Sequence, residues 1–367
     1  MKILHTEASL GWGGQEIRIL TEAAGMIARG HAVELACPAE ARIFAEAPRH
    51  GVPAHAVPIG RKSLSGLLAM RRFLRAHPCD VVNTHSSTDT WLAALASLGW
   101  SAPPLVRTRH ISAPVPDNRA TRWLYRRAST HVVTTGEALR EQLIRDNDLP
   151  AARVTSVPTG IAPERFPPTD AAVRRARRLE LGLPPDAPIV GIVATLRSWK
   201  GHRYLIEALR ALPDARTRLV IVGDGPQRDA LAALAAAPDI AGRVVFAGNR
   251  NDVAPWLQSF DVFALPSYAN EGVPQALLQA MFTGLPAVTT DAGAIPEIAI
   301  DGETALVVPR EDAAALAGAL GRLLADADLA GRLGRAARER VLARHGLAAM
   351  LDRMESVFAQ AAGGRAR

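Results

Sequence analysis

Short apolar segments alternate with amphipathic segments along most of the chain, and this alternation predicts the fold class. The apolar segments have the length and side-chain types of β-strands, and the segments between them repeat apolar positions with a helical period. Strands are predicted at Lys2–His5, Ala32–Ala36, Ala54–Val57, Val81–Thr84, Leu105–Thr108, His131–Thr134, Val154–Val157, Ile189–Thr195, Arg218–Val222, Val244–Ala247, Val262–Leu265, Ala287–Thr290 and Ala305–Val308. Helices are predicted at Gln15–Arg29, Ser65–Arg75 and Glu137–Arg145, among others. Such alternation is typical of α/β proteins, in which helices cover both faces of a parallel sheet.

The alternation is interrupted once, between Pro158 and Pro188, where the chain is rich in proline and arginine. One short basic helix is predicted there, at Ala171–Leu181. The strand–helix pattern then resumes and ends in a long helical, arginine-rich region. We therefore expect two Rossmann-like domains that face each other across a cleft. Ligands of such sheets bind outside the carboxyl ends of the strands, so site residues are expected directly after strands.

Length and cysteine content agree with this organisation. A chain of 367 residues is long for one domain and fits two of ordinary size. No apolar run is long enough to span a bilayer, and a strand follows Met1 directly, so neither a signal peptide nor a transit peptide is expected. Cys37 and Cys79 lie far apart in strand-like segments and are expected to be reduced thiols. These features predict a cytoplasmic protein.

The net charge is +7, and the excess of cations is clustered. The clusters are Arg61, Lys62, Arg71, Arg72 and Arg75; Arg119, Arg122, Arg126 and Arg127; and Arg174, Arg175, Arg177 and Arg178. Solvated helix faces explain such clusters. The second cluster also brackets Trp123 and Tyr125, as in a helix that lies on an anionic membrane surface, so peripheral contact with the inner face of the cytoplasmic membrane stays open. No nucleic-acid-binding motif accompanies the charge, so no nucleic-acid partner is expected.

The most informative loop is the one that opens a helix near residue 274. Glu271 and Gly272 lie in this loop, and Pro274 is expected at the first helical position, where no N–H bond is lost. The free N–H groups and the dipole of the helix favour an anion such as phosphate. The carboxylate of Glu271 could accept hydrogen bonds from sugar hydroxyls. Gln279 lies on a helix face that can point at the same ligand.

Three other loops of the second half carry candidate binding groups. Arg197 and Lys200 lie three residues apart just before a helix that is expected to begin near residue 202, and two cations at a helix end suit a diphosphate. Gly225 belongs to a glycine-rich turn after the next strand, where backbone can approach a ligand closely. Asn249 follows a later strand, where its amide could contact the edge of a base.

In the first half, candidate residues also follow strands. Gly13 and Gly14 precede the first helix and let backbone approach a ligand, although the dinucleotide fingerprint is incomplete there. His85 and Asp89 belong to a polar cluster after one strand, and His110 follows the next strand. A histidine in this place could bind hydroxyls or orient a reacting group, and a purely structural role is the alternative.

No metal site is predicted. The pairs Asp146/Asp148 and Asp326/Asp328 lie at helix ends in polar turns, where capping is the expected role. No cysteine–histidine cluster has the spacing of a zinc site along the chain.

Taken in order, the motifs resemble those of the retaining, nucleotide-sugar-dependent glycosyltransferases of the GT-B fold, family 4, also called group 1. The resemblance covers nearly the whole chain. Its positions are Gly13-Gly14-x-Glu16, Val157-Pro158-x-Gly160-Ile161, Lys200-Gly201, Val222-Gly223-Asp224-Gly225-Pro226, Phe246-x-Gly248, Pro266-Ser267-x-x-x-Glu271-Gly272-x-Pro274, Ala280-Met281-x-x-Gly284-x-Pro286 and Gly293-x-x-x-Glu297.

The resemblance implies a division of the chain and a role for each part. Residues 1–165 would form the acceptor-side domain, residues 166–187 a linker, and residues 188–345 the nucleotide-sugar donor domain. Residues 346–367 would form a helix and tail that cross back to the first domain. The implied partners are a nucleotide-sugar donor and a glycan or lipid-linked acceptor, and no metal or other cofactor is implied.

The resemblance also implies site residues. His110, Lys200 and Glu271 would be catalytic. The donor would be bound by Gly13, Gly14, Arg197, Lys200, Gly225, Asn249, Glu271, Gly272, Val273 and Gln279. His85 and Asp89 would lie on the acceptor side.

Two positions depart from the family pattern. Gln279 stands where the family has a second Glu that binds ribose hydroxyls, and an amide makes neutral hydrogen bonds in place of charge-assisted ones. Thr195 stands where the family has an Arg beside the lysine, so we expect Arg197 to replace it. The departure at Gln279 predicts weaker donor binding.

The predicted function is transfer of a glycosyl unit to an acceptor hydroxyl with retention of configuration, in assembly of cell-surface polysaccharide or lipopolysaccharide. Two alternatives stay open. One is a nucleotide-sugar epimerase of the same fold. The other is a non-catalytic relative that binds a sugar nucleotide.

Overall fold

The computed structural model describes residues 1–363 and contains the thirteen predicted strands, each within two residues of its expected bounds. The strands are β1 Lys2–Thr6, β2 Ala32–Cys37, β3 Ala54–Ala56, β4 Val81–Thr84, β5 Leu105–Arg109, β6 His131–Thr134, β7 Val154–Ser156, β8 Ile189–Val193, β9 Arg218–Val222, β10 Val244–Gly248, β11 Val262–Leu265, β12 Ala287–Thr289 and β13 Leu306–Val307. The helices are α1 Gly14–Ala28, α2 Arg42–Glu46, α3 Leu64–Ala76, α4 Ser87–Ala96, α5 Arg119–Trp123, α6 Glu137–Asn147, α7 Ala171–Glu180, α8 His202–Ala211, α9 Arg228–Ala235, α10 Ala254–Ser259, α11 Gln275–Phe282, α12 Ala313–Ala325, α13 Ala327–Arg344 and α14 Leu347–Gly363.

The chain divides into two compact units, Met1–Gly160 with Ala348–Arg367, and Ile161–Leu347. Residues 166–187, predicted as a linker, lie in the second unit, where α7 packs against α10. The predicted tail residues 364–367 lie outside the described residues.

The first unit contains a seven-stranded parallel sheet in the order β3-β2-β1-β4-β5-β6-β7. The strand order reverses between β1 and β4, which makes the carboxyl ends of these two strands the switch point where Rossmann-type sheets bind ligands. Buried aliphatic side chains such as Leu4, Val82 and Leu105 pack with α3 and α4 against one face of the sheet. The fold thus places the residues after β1 and β4 next to each other.

The second unit repeats this topology with a six-stranded parallel sheet in the order β10-β9-β8-β11-β12-β13. Its strand order reverses between β8 and β11. The strands are apolar on both faces and bury residues such as Ile192, Val220 and Phe263, as expected for parallel strands covered by helices on both sides. The two parallel-sheet, Rossmann-like units confirm the predicted fold class.

Residues 348–363 return to the first unit, as the crossing-back helix was predicted to do. Leu351 lies against Gly25 of α1 so closely that a Cβ on Gly25 would approach its Cδ1 to 2.5 Å. Arg29 forms ion pairs with Asp352 and Glu355 at 2.7 and 3.0 Å. The last helix therefore completes the packing of α1.

One part of the membrane prediction needs correction. Trp123 and Tyr125 were expected to share an exposed basic face, but Tyr125 is buried and its hydroxyl accepts hydrogen bonds from Arg107 and Arg109 at 2.9 and 2.8 Å. The reason is a π-helical turn at residues 124–128 that directs this side chain toward β5. Within residues 1–363, no helix is both long and apolar enough to cross a bilayer.

Candidate functional site

The switch point of the second sheet brings together two residues that lie far apart in the sequence. Lys200 follows β8 in a short 3₁₀ turn, and Glu271 lies in the loop after β11. The Lys200 ammonium lies 2.6 Å from Oε1 of Glu271, and the hydroxyl of Ser267 donates to the same oxygen at 2.6 Å. The Glu271 side chain is only 5% exposed and the Lys200 side chain 18%. This buried, charge-assisted pair is the centre of the candidate site in the second unit.

Glycines let several backbone segments approach this pair closely. Gly201 has φ +74°, and a Cβ there would lie 2.0 Å from the carbonyl oxygen of Pro266. Gly293 has φ +57°, and a Cβ there would lie 2.0 Å from the carbonyl oxygen of Glu271. Only glycine combines a left-handed conformation with so little space. Gly201 thus lets the Lys200 loop pack on the end of β11, and Gly293 lets the loop after β12 pack on Glu271.

The glycine-rich turn after β9 packs against the loop after β8 in the same way. Gly223 and Gly225 have φ +144° and +156°, and Cβ atoms there would clash with the backbone of Ala194 and Leu196. Leu196 N–H donates to the carbonyl of Asp224 at 3.0 Å. Gly225, predicted to contact the donor, therefore holds one backbone turn against another at the carboxyl edge of the sheet.

The helix after Glu271 begins one residue later than predicted. Pro274 is the N-cap, with φ −72° and ψ 121°, and α11 begins at Gln275. The cap residue stays extended because the turn that carries Glu271 and Gly272 ends there. Gly272, Val273 and Gln279 are buried beside this helix end, Gln279 at 8% exposure.

Arg197 and Asn249 lie at the same edge but point outward. Arg197 is exposed, and its guanidinium lies over the ring of Trp199 at 5.7 Å from the centroid. Asn249 is exposed directly after β10. Neither residue takes part in the Lys200–Glu271 pair, so the contacts that fix that pair do not fix these two side chains.

In the first unit, three histidines form a chain along the carboxyl ends of β1, β4 and β5. His5 Nδ1 lies 2.9 Å from His85 Nε2, and His85 Nδ1 lies 2.9 Å from His110 Nε2. Burial lowers the pKa of His5 to about 3 and holds the pKa values of His85 and His110 well below the usual range of histidine. All three rings are therefore neutral at physiological pH. His85 and His110 were predicted from the sequence as site residues, whereas His5 was not.

Two carboxyl groups border this histidine chain. Asp89 is fully buried, and its oxygens accept hydrogen bonds from Thr6, from Ser86 and from the His85 N–H, so it caps α4. It has no exposed atom to offer to an acceptor, in contrast to its predicted acceptor-side role. Glu7 follows β1, and burial, with the nearby charges of Asp89 and Glu16, raises its pKa to about 8.

A second buried pair lies on α1, beyond Gly13 and Gly14. Gly13 is the N-cap of α1 and Gly14 its exposed first residue. Arg18 lies 3.7 Å from Glu22, both side chains are fully buried, and Arg18 donates to the carbonyl of Val157 at 2.6 Å. Burial raises the pKa of Glu22 to about 7. In the sequence, only the helical period of α1 indicated that these positions are buried. That period does not predict which residues Arg18 and Glu22 contact.

Comparison with protein-family models matches both halves of the chain. Residues 12–165 match the model described as Glycosyltransferase Family 4, and residues 187–326 match the model described as Glycosyl transferases group 1. Together these matches cover His85, His110, Lys200 and Glu271, whereas His5 and Glu7 lie before the first matched residue.

Individual relatives agree with the family match. The chain is 32% identical over 318 residues to the D-inositol 3-phosphate glycosyltransferase of Xylanimonas cellulosilytica, a match that covers 77% of this chain and 72% of that protein. It is 34% identical over 175 residues to the lipopolysaccharide core biosynthesis glycosyltransferase LpsE of Rhizobium meliloti, with 48% and 51% covered. The crystal structure of Anabaena Alr3699/HepE with UDP and glucose superposes with a TM-score of 0.87 at 21% identity, and 98% of this chain and 99% of that chain are covered.

Proposed function

Because the chain belongs to the group 1 glycosyltransferases of family 4, we propose that it transfers a sugar from a nucleotide diphosphate sugar to an acceptor hydroxyl with retention of configuration. In this reaction the bond from the sugar C1 to the diphosphate breaks and a bond from C1 to the acceptor oxygen forms. The acceptor proton passes to the departing phosphate oxygen. The chain has to stabilise the negative charge that develops on the diphosphate.

The observation that carries this proposal is the buried Lys200–Glu271 pair at the switch point of the second sheet. Lys200 is held within the loop geometry described above, so its ammonium can meet a diphosphate without reorganisation, which is the main source of electrostatic catalysis. Arg197, exposed at the same edge, can add a second cation, and the N–H groups that precede α11 can add hydrogen bonds.

Glu271 keeps one oxygen for a sugar. Its Oε1 accepts from Lys200 and Ser267, while no donor among the described residues reaches Oε2. A sugar hydroxyl that donates to Oε2 would share the carboxylate with the lysine. This arrangement couples recognition of the sugar to the position of the cation that faces its leaving group. The complex of Anabaena Alr3699/HepE with UDP and glucose supports a donor of this class.

The histidine chain supports a role for His110 toward hydroxyl groups. His5 Nε2 is buried without a hydrogen-bond partner among the described residues, and a buried lone pair is tolerated better than a buried N–H. His5 Nδ1–H then donates to His85, and His85 Nδ1–H donates to His110 Nε2. His110 is left with an N–H at Nδ1, a donor suited to a hydroxyl oxygen of the sugar or acceptor.

A surface of the first unit suits a lipid-linked acceptor at an anionic membrane. Leu64 and Leu68 of α3 are 71% and 55% exposed, and Leu95 and Leu98 at the end of α4 are 38% and 51% exposed. Exposed cations surround these leucines on the same helix and the loop before it, at Arg61, Lys62, Arg72 and Arg75. Apolar anchors within a basic patch favour a negatively charged lipid surface. The relative from Rhizobium that acts in lipopolysaccharide core biosynthesis supports a surface glycan as product.

A panel of donors tests the proposed reaction. The protein is incubated with UDP-, GDP- and ADP-sugars and an extract of lipid-linked acceptors, and the products are separated. Transfer with retained configuration supports the proposal. Interconversion of the free donor would establish an epimerase, and donor binding without turnover would establish a non-catalytic relative. Glu271→Gln, which keeps the size of the side chain, should abolish most transfer.

Sedimentation with lipid vesicles tests the membrane surface. Leu64→Glu and Leu68→Glu should reduce binding to vesicles that contain phosphatidylglycerol. The matched controls are Leu179→Glu and Leu342→Glu, because these leucines are 60% and 42% exposed in the second unit. Equal binding of all four variants and the wild type would exclude this surface.

A further inference from the structure

Three side chains of the first unit converge at a place that the transfer reaction does not use. Glu34 lies on β2, His55 on the neighbouring edge strand β3, and His77 directly after α3. One ligand atom from each, a carboxylate oxygen or a ring nitrogen, lies within 4.8 Å of the other two. We propose that these three residues bind one divalent transition-metal ion such as Zn²⁺.

The distances suit such an ion. His55 Nε2 and His77 Nδ1 lie 2.9 and 3.4 Å from the same oxygen, Oε2 of Glu34. Zinc holds nitrogen and carboxylate ligands at about 2.0–2.1 Å in a tetrahedron, which separates neighbouring ligand atoms by about 3.3 Å. The two separations from Glu34 therefore need to change by only a few tenths of an ångström, and the two ring nitrogens lie within 4.8 Å of each other. Two histidines and one glutamate leave the fourth position to water.

A simple ion pair leaves one feature of the cluster unexplained. His55 Nε2 is buried, and although it lies 2.9 Å from Glu34 it makes no hydrogen bond of acceptable geometry to a described residue. A metal ion between the three groups would use the lone pair of this nitrogen. The Nε2 atom thus lies beside the Glu34 carboxylate without completing a hydrogen bond, as a ligand atom of a shared ion would.

The rings are also held in position before any ion binds. Phe73 of α3 stacks on His77 with centroids 4.1 Å apart and an angle of 18°, and it lies 5.2 Å from the centroid of His55. An aromatic wall of this kind limits the orientations of both imidazoles, so little side-chain entropy would be lost on binding.

The site lies toward the amino edge of the first sheet. His77 precedes β4 in a helix-to-strand connection, whereas the histidine chain follows the carboxyl ends of the strands. An ion there would join β2, the edge strand β3 and the end of α3. It would stabilise the sheet edge and α3 without a part in the transfer chemistry.

Cobalt and zinc titrations of the tag-free, chelator-treated full chain test the site. We expect one Co²⁺ to bind with the visible absorption of tetrahedral coordination, and Zn²⁺ to displace it and raise the temperature of thermal unfolding. His55→Gln and His77→Gln should each weaken binding by at least about tenfold. Glu34→Gln keeps both rings and should also weaken it. His50→Gln, a half-buried histidine outside the cluster, serves as the control.

Circular dichroism of each metal-free variant separates lost binding from lost folding. If wild type shows no saturable Co²⁺ binding, or if the cluster variants bind as tightly as wild type, the three residues form an ion-pair cluster only and the proposal is overturned.

Discussion

The two sheets have the same strand order, but the residues at their carboxyl edges differ in kind. After β1 and β4 stand large polar side chains that are almost wholly buried, such as Glu7, His85 and Asp89. After β8 and β9 the chain turns through glycines, including Gly201, Gly223 and Gly225, and one ion pair, Lys200–Glu271, lies among them. The carboxyl edge of the first sheet is built from side chains that are shielded from water. The carboxyl edge of the second sheet is built from backbone segments that pack closely against each other.

Under the proposed function, the difference shows how one topology would serve two kinds of ligand. Buried neutral imidazoles and the carboxyl group of Glu7, whose pKa is raised to about 8, offer hydrogen bonds without net charge, which suits sugar and acceptor hydroxyls. Backbone turns beside a lysine offer N–H groups and a cation, which suit a diphosphate. We therefore expect substitutions at the second edge to act through steric clashes and lost charge. Substitutions at the first edge should act through the pH dependence of stability.

The largest effect is expected from Gly201→Ala compared with Gly284→Ala. Both glycines have φ near +75°, so both variants incur about 1–2 kcal/mol for a left-handed side chain. Only at Gly201 does the new Cβ meet backbone, whereas no described atom lies within 4 Å at Gly284. We expect Gly201→Ala to lower the free energy of unfolding by about 4 kcal/mol or more, measured by chemical denaturation. Equal losses at both sites would refute the role given to close backbone approach.

Lys200→Met tests the charge of the second edge. The variant leaves Glu271 buried without its cation and removes the charge that we propose stabilises the diphosphate, so transfer should fall about 10²–10³-fold. Arg197→Ala, which removes an exposed cation, should lower transfer about tenfold, and wild-type activity there would reject Arg197 as the second cation. Arg203→Ala on α8, 62% exposed, is the control for a nearby cation. Steady-state kinetics with the donor found in the panel measures all three.

Glu7→Gln tests the buried carboxyl edge of the first sheet through the pH dependence of stability. The pKa of Glu7 is raised from 4.5 to about 8, first by burial and then by Asp89 and Glu16, so between these pH values the folded protein binds a proton that the unfolded chain lacks. Stability is therefore lost as pH rises across this window, and the loss is complete above about pH 8. Gln does not titrate, so the free energy of unfolding of the variant, relative to wild type, should rise by roughly 4 kcal/mol between pH 5 and pH 8.5.

Thermal unfolding across the pH range measures this gain. Glu40→Gln, at an exposed position, should follow the wild-type curve. A constant difference between Glu7→Gln and wild type at all pH values would mean that Glu7 is ionised in the folded protein.

The smallest effect is expected from Gln279→Glu. A carboxylate would turn neutral hydrogen bonds to the donor into charge-assisted ones, worth about 1 kcal/mol, although Gln279 is only 8% exposed and burial opposes the new charge. Calorimetric titration with the donor should show up to about tenfold tighter binding. Unchanged affinity would place the ribose hydroxyls elsewhere.

The sequence predicted more of the fold than of the sites, for a physical reason. Strands of parallel sheets are apolar on both faces, so their positions appear directly in the pattern of residues, and the strand ends then indicate where ligands bind. The Lys200–Glu271 pair could not be predicted as a contact, because it joins loops after β8 and β11 that are neighbours only through the strand order.

Other features depend on packing that the pattern does not record. The π-helical turn places Tyr125 against Arg107 and Arg109, so the spacing of aromatic and basic residues gave the wrong orientation. His5 sits in a regular strand pattern, and only the strand order places it beside His85. The histidines and glutamate of the proposed metal site belong to three separate elements and have no characteristic spacing.

The return of the last helix to the first unit has a consequence for synthesis of the protein. Residues 161–347 form a unit whose two ends meet, because Ile161 N–H donates to His345 and Leu347 N–H donates to Ile161, both at 2.9 Å. This unit can close as soon as it leaves the ribosome. The first unit has to wait for residues 348–363, which cover Gly25 and Arg18 of α1. Residues 1–160 are therefore made before residues 161–347, but their unit completes its packing only after residues 348–363 are made.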